Sequence, residues 1–194
     1  MTEPVVGILL AAGAGTRLGR PKALVTDKAG RSWLARSTDA LLDGGVEIVY
    51  VVLGAELDTA RNEVPDGCII VEAADWAEGM GASLRAGLHA VSLTPDVLRA
   101  ALVMLVDTPG VGPEVVARLM TKSAPDVLAR ASYDGTPGHP VLLGREHWDG
   151  VRDSVYGDHG ARIYLEAHEV ELVECGDIGW GDDVDTAADL HDRR

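Results

Sequence analysis

Phenylalanine is absent from this chain of 194 residues, and four tryptophans and four tyrosines are its only large aromatic side chains. Positive charge is also scarce, because 17 lysines and arginines stand against 31 aspartates and glutamates, for a net charge of −14. A protein that stacks single-stranded nucleic acid needs aromatic platforms, and one that wraps a nucleic acid backbone needs a basic surface. We therefore expect no nucleic acid among its partners.

Cysteines and long apolar runs are few as well. The two cysteines, Cys68 and Cys175, lie neither in a close pair nor near a histidine ligand pattern, which argues against a zinc site and a disulfide framework. No apolar run approaches the roughly 20 residues that span a bilayer. The segment from Met1 to Pro4 lacks the basic flank of a signal peptide. We therefore expect a cytoplasmic protein that binds no membrane.

Apolar segments alternate with helical patterns along the chain. The length and a hydrophobic content of 46% predict a single domain over residues 1–194. Strands are predicted at Val5–Leu10, Ile48–Leu53, Cys68–Val71, Ala101–Val106, Asp126–Ala131 and Glu169–Cys175, and helices at Ser32–Asp43, Ala82–Val91, Pro113–Lys122 and Ala161–Ala167. Such alternation predicts a three-layer α/β/α domain with a mostly parallel central sheet.

The first predicted strand runs into a loop of small residues that ends Gly13-Ala14-Gly15-Thr16-Arg17-Leu18-Gly19-Arg20-Pro21-Lys22. Its three glycines can adopt backbone angles closed to other residues and turn their N–H groups toward an anion. Arg17 can fork onto phosphate oxygens, and Lys22 adds a point charge. The third glycine falls one residue late for a dinucleotide fingerprint, and Lys22 lacks the flanking residues of a P-loop. The loop is thus a phosphate cradle of another kind or, alternatively, a glycine-rich turn with two surface cations.

Asp107 directly follows the apolar run Leu102-Val103-Met104-Leu105-Val106. A buried strand that ends this way delivers the carboxylate to the edge of the sheet, where it suits Mg²⁺. The alternative is that Asp107 caps the helix beginning near Pro113. Near the C-terminus, alternation around Val184 points Asp183 and Asp185 to one side, and Asp182 to Leu190 begins a short final helix. Asp185 is the predicted second metal ligand, with a solvated acidic cluster as the alternative.

Two further kinds of turn complete the set. The glycine turn at residues 76–81 opens into a helix, and its free N–H groups together with the Ser83 hydroxyl suit the polar edge of a nucleobase. The alternative interpretation is that this turn only caps a helix and has no role in binding a nucleobase. Turn-rich, polar stretches at residues 133–141 and 156–162 are candidates for the acceptor substrate, within a segment from Ser132 to Gly160 predicted as a loop region. His139 accompanies no Ser or Cys nucleophile motif, so a hydrolytic triad is not predicted.

Together these segments resemble the molybdenum cofactor cytidylyltransferases, a subgroup of the nucleotidyltransferases that have a Rossmann-like domain. The resemblance covers nearly the whole chain, and its most specific parts are the Leu10–Lys22 loop and Gly157-Asp158-His159-Gly160-Ala161-Arg162. The chain departs from the family at Thr108, where Gln is usual, and at Ala187-Ala188, where Pro-Glu is usual. The first departure bears on acceptor identity and the second on helix capping.

The resemblance implies transfer of CMP from CTP to molybdopterin with release of pyrophosphate. It implies a nucleotide-binding part over about residues 1–110 and an acceptor-side part over about residues 111–194. Its implied site residues are Leu10, Ala11, Ala12, Gly13, Gly15, Thr16, Arg17, Lys22, Gly79 and Ser83 for the nucleotide, Asp107 and Asp185 for Mg²⁺, and Gly138, His139, Pro140, Asp158 and Arg162 for the acceptor. Arg17, Lys22 and Asp107 are the implied catalytic residues, and a molybdoenzyme that receives the cofactor is an implied partner. A nucleotidyltransferase that uses GTP or acts on a sugar or lipid phosphate, and a binding protein that escorts a finished cofactor, stay open as alternatives.

Overall fold

Seven strands form one mixed sheet in the order β3-β2-β1-β4-β6-β5-β7 within the computed structural model, which describes residues 4–27, 29–94 and 98–184. The strands are β1 Val5–Leu10, β2 Val49–Leu53, β3 Ile69–Glu72, β4 Ala100–Leu105, β5 Leu128–Tyr133, β6 Thr136–Gly144 and β7 Glu171–Glu174. Neighbouring strands from β3 to β4 run parallel, β6 is antiparallel to both of its neighbours, and β7 is parallel to β5. The predicted mostly parallel sheet is confirmed.

Helices cover both faces of this sheet. They are α1 Trp33–Asp43, α2 Leu57–Arg61, α3 Met80–Ser92, α4 Pro113–Met120, α5 Trp148–Ser154 and α6 Arg162–Glu166. Ser32 begins α1, because its hydroxyl accepts a hydrogen bond from the Ala35 amide at 3.2 Å. No helix in the described part of the chain is long and apolar enough to cross a membrane. Ten of the eleven elements predicted from the sequence are present, with boundaries shifted by no more than two residues, and most of the final helix predicted from Asp182 to Leu190 lies outside the described residues.

The central strands are buried on both faces, which explains their unbroken apolar sequences. Every residue of β1 and β4 is buried. One face packs Leu9 and Met104 with residues of α1 and α4, and the other packs Ile8 and Val103 with residues of α3 and α5. Two apolar cores therefore hold β1 and β4 rigidly at the centre of the molecule.

The carboxyl ends of β1 and β4 lie side by side. Leu10 pairs with Leu105 in parallel register, and the Val106 amide donates to the Leu10 carbonyl at 3.2 Å. The glycine-rich loop leaves β1 and Asp107 leaves β4 from this same edge of the sheet. Ligands bind open α/β sheets at such carboxyl ends.

The segment from Ser132 to Gly160 is not a loop region, so that prediction was wrong. It contains the end of β5, all of β6 and the helix α5. The turn at Asp134 and Gly135, both with positive φ, joins β5 to β6 as a tight hairpin. Pro137, Gly138 and Pro140 gave the segment the composition of a loop, but antiparallel pairing with β4 and β5 outweighs the low strand propensity of these residues.

The Glu174 carboxylate ties this hairpin to β7. It accepts hydrogen bonds from the amides of Asp134 and Gly135 at 3.0 and 3.1 Å and from the Ser132 hydroxyl at 2.9 Å. These bonds, together with one from the Gly176 amide, favour the ionised form and lower the pKa of Glu174 to about 2. The hairpin is thus fixed at its turn by a charged side chain from a neighbouring strand.

Candidate active site

The glycine-rich loop folds back on itself immediately after β1. The amides of Leu18 and Gly19 both donate to the Gly15 carbonyl at 2.9 Å. Gly15 has a φ of +59°, and a Cβ there would meet the Arg20 carbonyl oxygen, so only glycine fits. Gly19 also has a positive φ, whereas Gly13 does not, which makes the predicted special backbone angle wrong at Gly13. Open space faces Gly13 instead.

A cavity of about 480 Å³ opens between this loop, the end of β4 and the start of α3. We call it the glycine-loop cavity. Its wall contains every residue predicted for nucleotide binding: Leu10, Ala11, Ala12, Gly13, Gly15, Thr16, Arg17, Lys22, Gly79 and Ser83. Asp107 also lines it. The glycine-rich loop and Asp107, which are about 90 positions apart in the chain, therefore line one cavity that is large enough for a small-molecule ligand.

Asp107 and Lys22 form an ion pair on the wall of this cavity. Lys22 Nζ donates to Asp107 Oδ2 at 2.5 Å, and the two side chains are 17% and 15% exposed. Gly112 is the residue that precedes the first turn of α4, so Asp107 does not cap that helix. The capping alternative is thereby excluded.

The donor set at Asp107 suits a divalent cation. Asp107 Oδ1 is buried and has no hydrogen-bond partner among the described residues, which leaves a carboxylate oxygen that needs a ligand. The Val184 amide donates to the Asp107 carbonyl at 3.0 Å, so the chain passes Asp107 again just before residue 185. Asp185 itself lies outside the described residues. Within them, no group of three His, Cys, Asp or Glu side chains is placed to hold a metal ion.

The turn before α3 packs against the segment at residues 156–159. A Cβ on Gly79, whose φ is +117°, would meet Asp158 Oδ1 and the Gly157 backbone at about 2.5 Å. This close approach requires glycine at position 79 and places the Asp158 carboxylate beside the N-terminus of α3. The buried Ser83 lines the glycine-loop cavity on the first turn of α3, and no described residue hydrogen-bonds its hydroxyl. The hydroxyl therefore has donor and acceptor capacity left for a ligand.

A second cavity, of about 610 Å³, lies between the β5–β6 hairpin, α3 and α6. We call it the hairpin cavity. His139, Asp158 and Arg162 from the predicted acceptor set line it, whereas Gly138 and Pro140 line neither cavity. Leu10, Met80, Leu105 and Asp158 border both cavities, so the two spaces adjoin. Much of the hairpin cavity wall is apolar, with Val103, Val141 and Leu143 from the sheet.

Arg130 is a candidate functional residue that sequence reasoning missed. It lies half-buried on β5 and lines the hairpin cavity with His139, and its Nε donates to the Gly138 carbonyl at 3.2 Å. Burial lowers the pKa of the Arg130 guanidinium, and burial together with this cation lowers the pKa of His139 to about 4. A single arginine within the apolar run at residues 127–131 was the available signal.

Arg85 and Thr108 do not line the glycine-loop cavity. Arg85 donates to the Val155 carbonyl at 2.9 Å and to Glu78 at 3.0 Å. Thr108 is fully buried and its hydroxyl donates to the Leu105 carbonyl at 2.8 Å. Thr108, where the chain departs from the family pattern, therefore lines neither the glycine-loop cavity nor the hairpin cavity.

The protein is similar in sequence to enzymes of more than one named activity. The nicotine blue oxidoreductase of Paenarthrobacter nicotinovorans is 37% identical over 199 residues, which cover 96% of this chain and 95% of that protein. A 2-C-methyl-D-erythritol 4-phosphate cytidylyltransferase of Rhodococcus opacus is 38% identical over 60% of this chain and 51% of its own. A probable molybdenum cofactor guanylyltransferase of Rhodopirellula baltica is 37% identical over 32% of this chain and 29% of its own.

Solved structures and a family model agree on the fold. The crystal structure of Rv0371c from Mycobacterium tuberculosis is 25% identical, covers 99% of this chain and 98% of its own, and superposes with a TM-score of 0.79. The same protein has been crystallised in complex with manganese, and that structure, at 24% identity, covers 97% of each chain with a TM-score of 0.76. The model of the MobA-like NTP transferase domain matches residues 7–172. The protein therefore belongs to the family of MobA-like NTP transferase domains.

Proposed function

We propose that the protein transfers CMP from CTP to molybdopterin and releases pyrophosphate, with Mg²⁺ as its cofactor. The observation that carries the proposal is the pair of adjoining cavities, one lined by the phosphate-binding loop and the other by His139, Asp158 and Arg162. A nucleotidyl transfer needs two substrates whose reacting phosphates meet, and the cavities meet at Leu10, Met80, Leu105 and Asp158. The nucleotide then occupies a wall built mainly from residues 1–110, and the acceptor a wall that draws on residues 111–194.

The reaction is an in-line displacement at phosphorus. A terminal phosphate oxygen of the acceptor forms a bond to the α-phosphorus of CTP, and the bond from that phosphorus to the oxygen bridging it to the β-phosphorus breaks. The bonding electrons leave with pyrophosphate. A phosphate monoester is already largely ionised at neutral pH, so the nucleophile needs no general base.

The chain supplies positioning and charge for this displacement. Arg17 and Lys22 are placed along the glycine-loop cavity to hold the β- and γ-phosphates and to stabilise the departing pyrophosphate. The orphaned Oδ1 of Asp107, together with Asp185, would hold Mg²⁺, which when bound neutralises charge that builds up on the phosphates. The two cavity walls bring the acceptor oxygen and the α-phosphorus into contact, which replaces a bimolecular encounter.

Cytosine is favoured over guanine by the size and chemistry of the turn before α3. The wall there offers Gly79, the Ser83 hydroxyl and backbone groups, which suit the polar edge of a small base. A wrong base would leave buried polar groups unpaired, at about 1 to 3 kcal/mol each. Partial relatives of both cytidylyl- and guanylyltransferase type exist, so the base is the part of the proposal to test first.

The test is pyrophosphate release with molybdopterin as acceptor and with CTP, GTP, ATP or UTP in the presence of Mg²⁺. Thermal-shift measurements with the same nucleotides report binding separately, because a ligand at 100 times its Kd adds about 2.7 kcal/mol of stability. We expect CTP to have the largest specificity constant. A specificity constant for GTP equal to or above that for CTP would overturn the cytidylyl assignment, and absence of pyrophosphate release with every nucleotide would overturn transfer itself.

A second candidate function is an oxidoreductase activity, favoured by the full-length similarity to the nicotine blue oxidoreductase. A glycine-rich loop with Arg17 and Lys22 is also suited to the pyrophosphate of a nicotinamide dinucleotide that supplies a hydride. The assay is loss of the colour of nicotine blue with NADH or NADPH, followed beside pyrophosphate release on the same preparation. Reduction of the dye without pyrophosphate release would replace the transferase proposal.

A further inference from the structure

The hairpin cavity contains a cation that no acidic group of the described residues neutralises. Arg130 is half-buried, and its one hydrogen bond runs from Nε to the Gly138 carbonyl at 3.2 Å, which leaves the two terminal nitrogens of the guanidinium for another partner. Burial lowers the pKa of this arginine, and no carboxylate of the described residues forms an ion pair with it. A desolvated guanidinium without a counter-ion is costly, and an anionic ligand would remove that cost.

His139 faces the same space from β6. Among the described residues, neither nitrogen of its imidazole ring has a hydrogen-bond partner, and the ring lines the hairpin cavity beside Arg130. Its backbone is held by Tyr133, whose hydroxyl donates to the His139 carbonyl at 2.8 Å. The backbone at His139 is therefore held in place, and the imidazole ring has a donor available for a ligand.

Three acidic residues line the hairpin cavity, namely Asp158, Glu166 and Asp183, and within the described residues none of them forms an ion pair with Arg130. Glu166 accepts a hydrogen bond from Arg162 Nε at 2.7 Å on the exposed surface of α6. Asp158 lies against Gly79 at the border with the glycine-loop cavity. Arg162 and Glu166 thus form a rim ion pair, whereas Arg130 and His139 occupy the inner wall built from β5 and β6.

The pair is also close to the point where transfer would occur. Val103 of β4 lies opposite Val141 of β6 in antiparallel register. Leu105 follows Val103 by two residues in β4, and His139 precedes Val141 by two residues in the antiparallel strand β6. Both line the hairpin cavity, and Asp107 follows Leu105 by two residues. The inner wall with Arg130 and His139 therefore adjoins the end of β4 that carries the orphaned carboxylate oxygen.

We propose that Arg130 and His139 together bind the phosphate monoester of the acceptor, the group whose oxygen is the nucleophile. The proposal rests on the proposed transfer reaction and names the residues that hold its second substrate. Arg130 supplies two N–H donors in a fork that matches a phosphate, and His139 supplies a third donor. Both are residues that bind the substrate rather than exchange protons with it. The bond changes are those of the transfer itself, with the acceptor oxygen joining the α-phosphorus and pyrophosphate departing.

The test uses inorganic phosphate as the probe and the full-length protein, titrated by calorimetry with and without a non-hydrolysable CTP analogue. The analogue occupies the glycine-loop cavity, so the phosphate that still binds reports the hairpin cavity. We expect Arg130→Met to weaken this binding at least tenfold and Arg130→Lys to restore part of it. Arg61→Met, which removes an exposed arginine from α2, is the matched control and leaves it unchanged.

Activity supplies the second readout. In the transfer assay, Arg130→Met is expected to raise the KM for the acceptor at least tenfold while the KM for CTP stays within twofold. Phosphate binding by Arg130→Met equal to wild type, or no phosphate binding by the wild type with the analogue bound, overturns the proposal. Phosphate is also titrated without the analogue. If the CTP analogue does not bind, that result counts against the proposed transfer, and the titration without the analogue still measures the effect of Arg130→Met on phosphate binding. If Arg130→Met does not fold, the Arg130→Lys variant and the shift of the His139 ring resonances on addition of phosphate decide the question, and an unmoved His139 resonance overturns it.

Discussion

The glycine-loop cavity and the hairpin cavity adjoin, yet they are built in opposite ways. Eight of the ten predicted nucleotide residues of the first lie between Leu10 and Lys22, on one strand end and the loop that follows it. The second draws its wall from β4, β5, β6, α3 and α6, so its functional side chains come together only through the sheet pairing. The comparison shows that one fold can place a cavity built from a single local segment beside a cavity built from segments that are distant in the sequence.

Removal of the Asp107 carboxylate from the glycine-loop cavity should have the largest effect on activity. We expect Asp107→Asn to fold, because the amide preserves the shape, but to lower kcat by about 100- to 1,000-fold as the buried anionic ligand disappears. Pyrophosphate release across a Mg²⁺ titration measures the effect, with the melting temperature recorded in parallel. Asp66→Asn, an exposed aspartate, is the control. Unchanged release at every Mg²⁺ concentration would remove Asp107 from the site.

Arg17→Ala should damage the same cavity less. Arg17 lines the glycine-loop cavity, and one charge-assisted contact with a ligand contributes about 1.5 to 3 kcal/mol. We expect kcat/KM for CTP to fall by about 10- to 100-fold, measured at subsaturating nucleotide. Arg61→Ala should have no effect. Full efficiency in Arg17→Ala would mean that the loop holds its ligand through backbone groups alone.

A residue of the hairpin cavity, His139, should affect the pH dependence of protein stability rather than the affinity for nucleotide. His139 has a pKa of about 4 in the folded protein, below the 6.5 of a free histidine, so it stays neutral while the unfolded chain takes up a proton. The contribution of this group to stability is therefore complete above pH 6.5 and falls as the pH drops toward 4, by about 3 kcal/mol.

His139→Gln removes that titration and should flatten the decline between pH 6.5 and 4. Thermal unfolding at half-unit pH intervals measures it, with the exposed His89→Gln as the matched control. An identical pH profile for His139→Gln and wild type would show that the ring is solvated and does not belong to a closed inner wall.

The smallest expected effect concerns the hairpin turn that supports the second cavity. Glu174 has a folded pKa of about 2 against 4.5 for a free carboxyl, so its contribution is present above pH 4.5 and is lost as the pH falls toward 2. Glu174→Gln should lower the melting temperature slightly at pH 7 and reduce the slope of the acid transition in that window. Glu63→Gln, on an exposed turn, should do neither. An equal slope of the acid transition for Glu174→Gln and Glu63→Gln would mean that the Glu174 hydrogen bonds to the hairpin turn do not contribute to the stability of the protein.

The parts of the fold that sequence patterns predicted are those in which local preference and tertiary packing agree. β1 and β4 are buried on both faces, so their unbroken apolar runs identify them, and Gly15 is required by a turn within five residues of itself. The positions of Arg17, Lys22 and Asp107 around one cavity then follow from the parallel register of β1 with β4.

The parts that escaped prediction depend on pairing between distant segments. β6 contains Pro137, Gly138 and Pro140, whose composition indicates a loop until β4 and β5 are placed on either side of it. Arg130 stands in a short apolar strand, and only the burial of its neighbours shows that its charge lacks a carboxylate partner. The importance of such residues is a property of the packed sheet and not of any local pattern.

The ion pair between Lys22 and Asp107 joins the glycine-rich loop to the end of β4. Lys22 Nζ lies 2.5 Å from Asp107 Oδ2, so the lysine satisfies one carboxylate oxygen and leaves Oδ1 for another partner. Under the proposed function, a triphosphate that binds with its cation would draw Lys22 toward phosphate oxygens, and the cation would replace the lysine at Asp107. The two ligands would then be linked thermodynamically, because each would release the group that the other needs and so raise the affinity for the other.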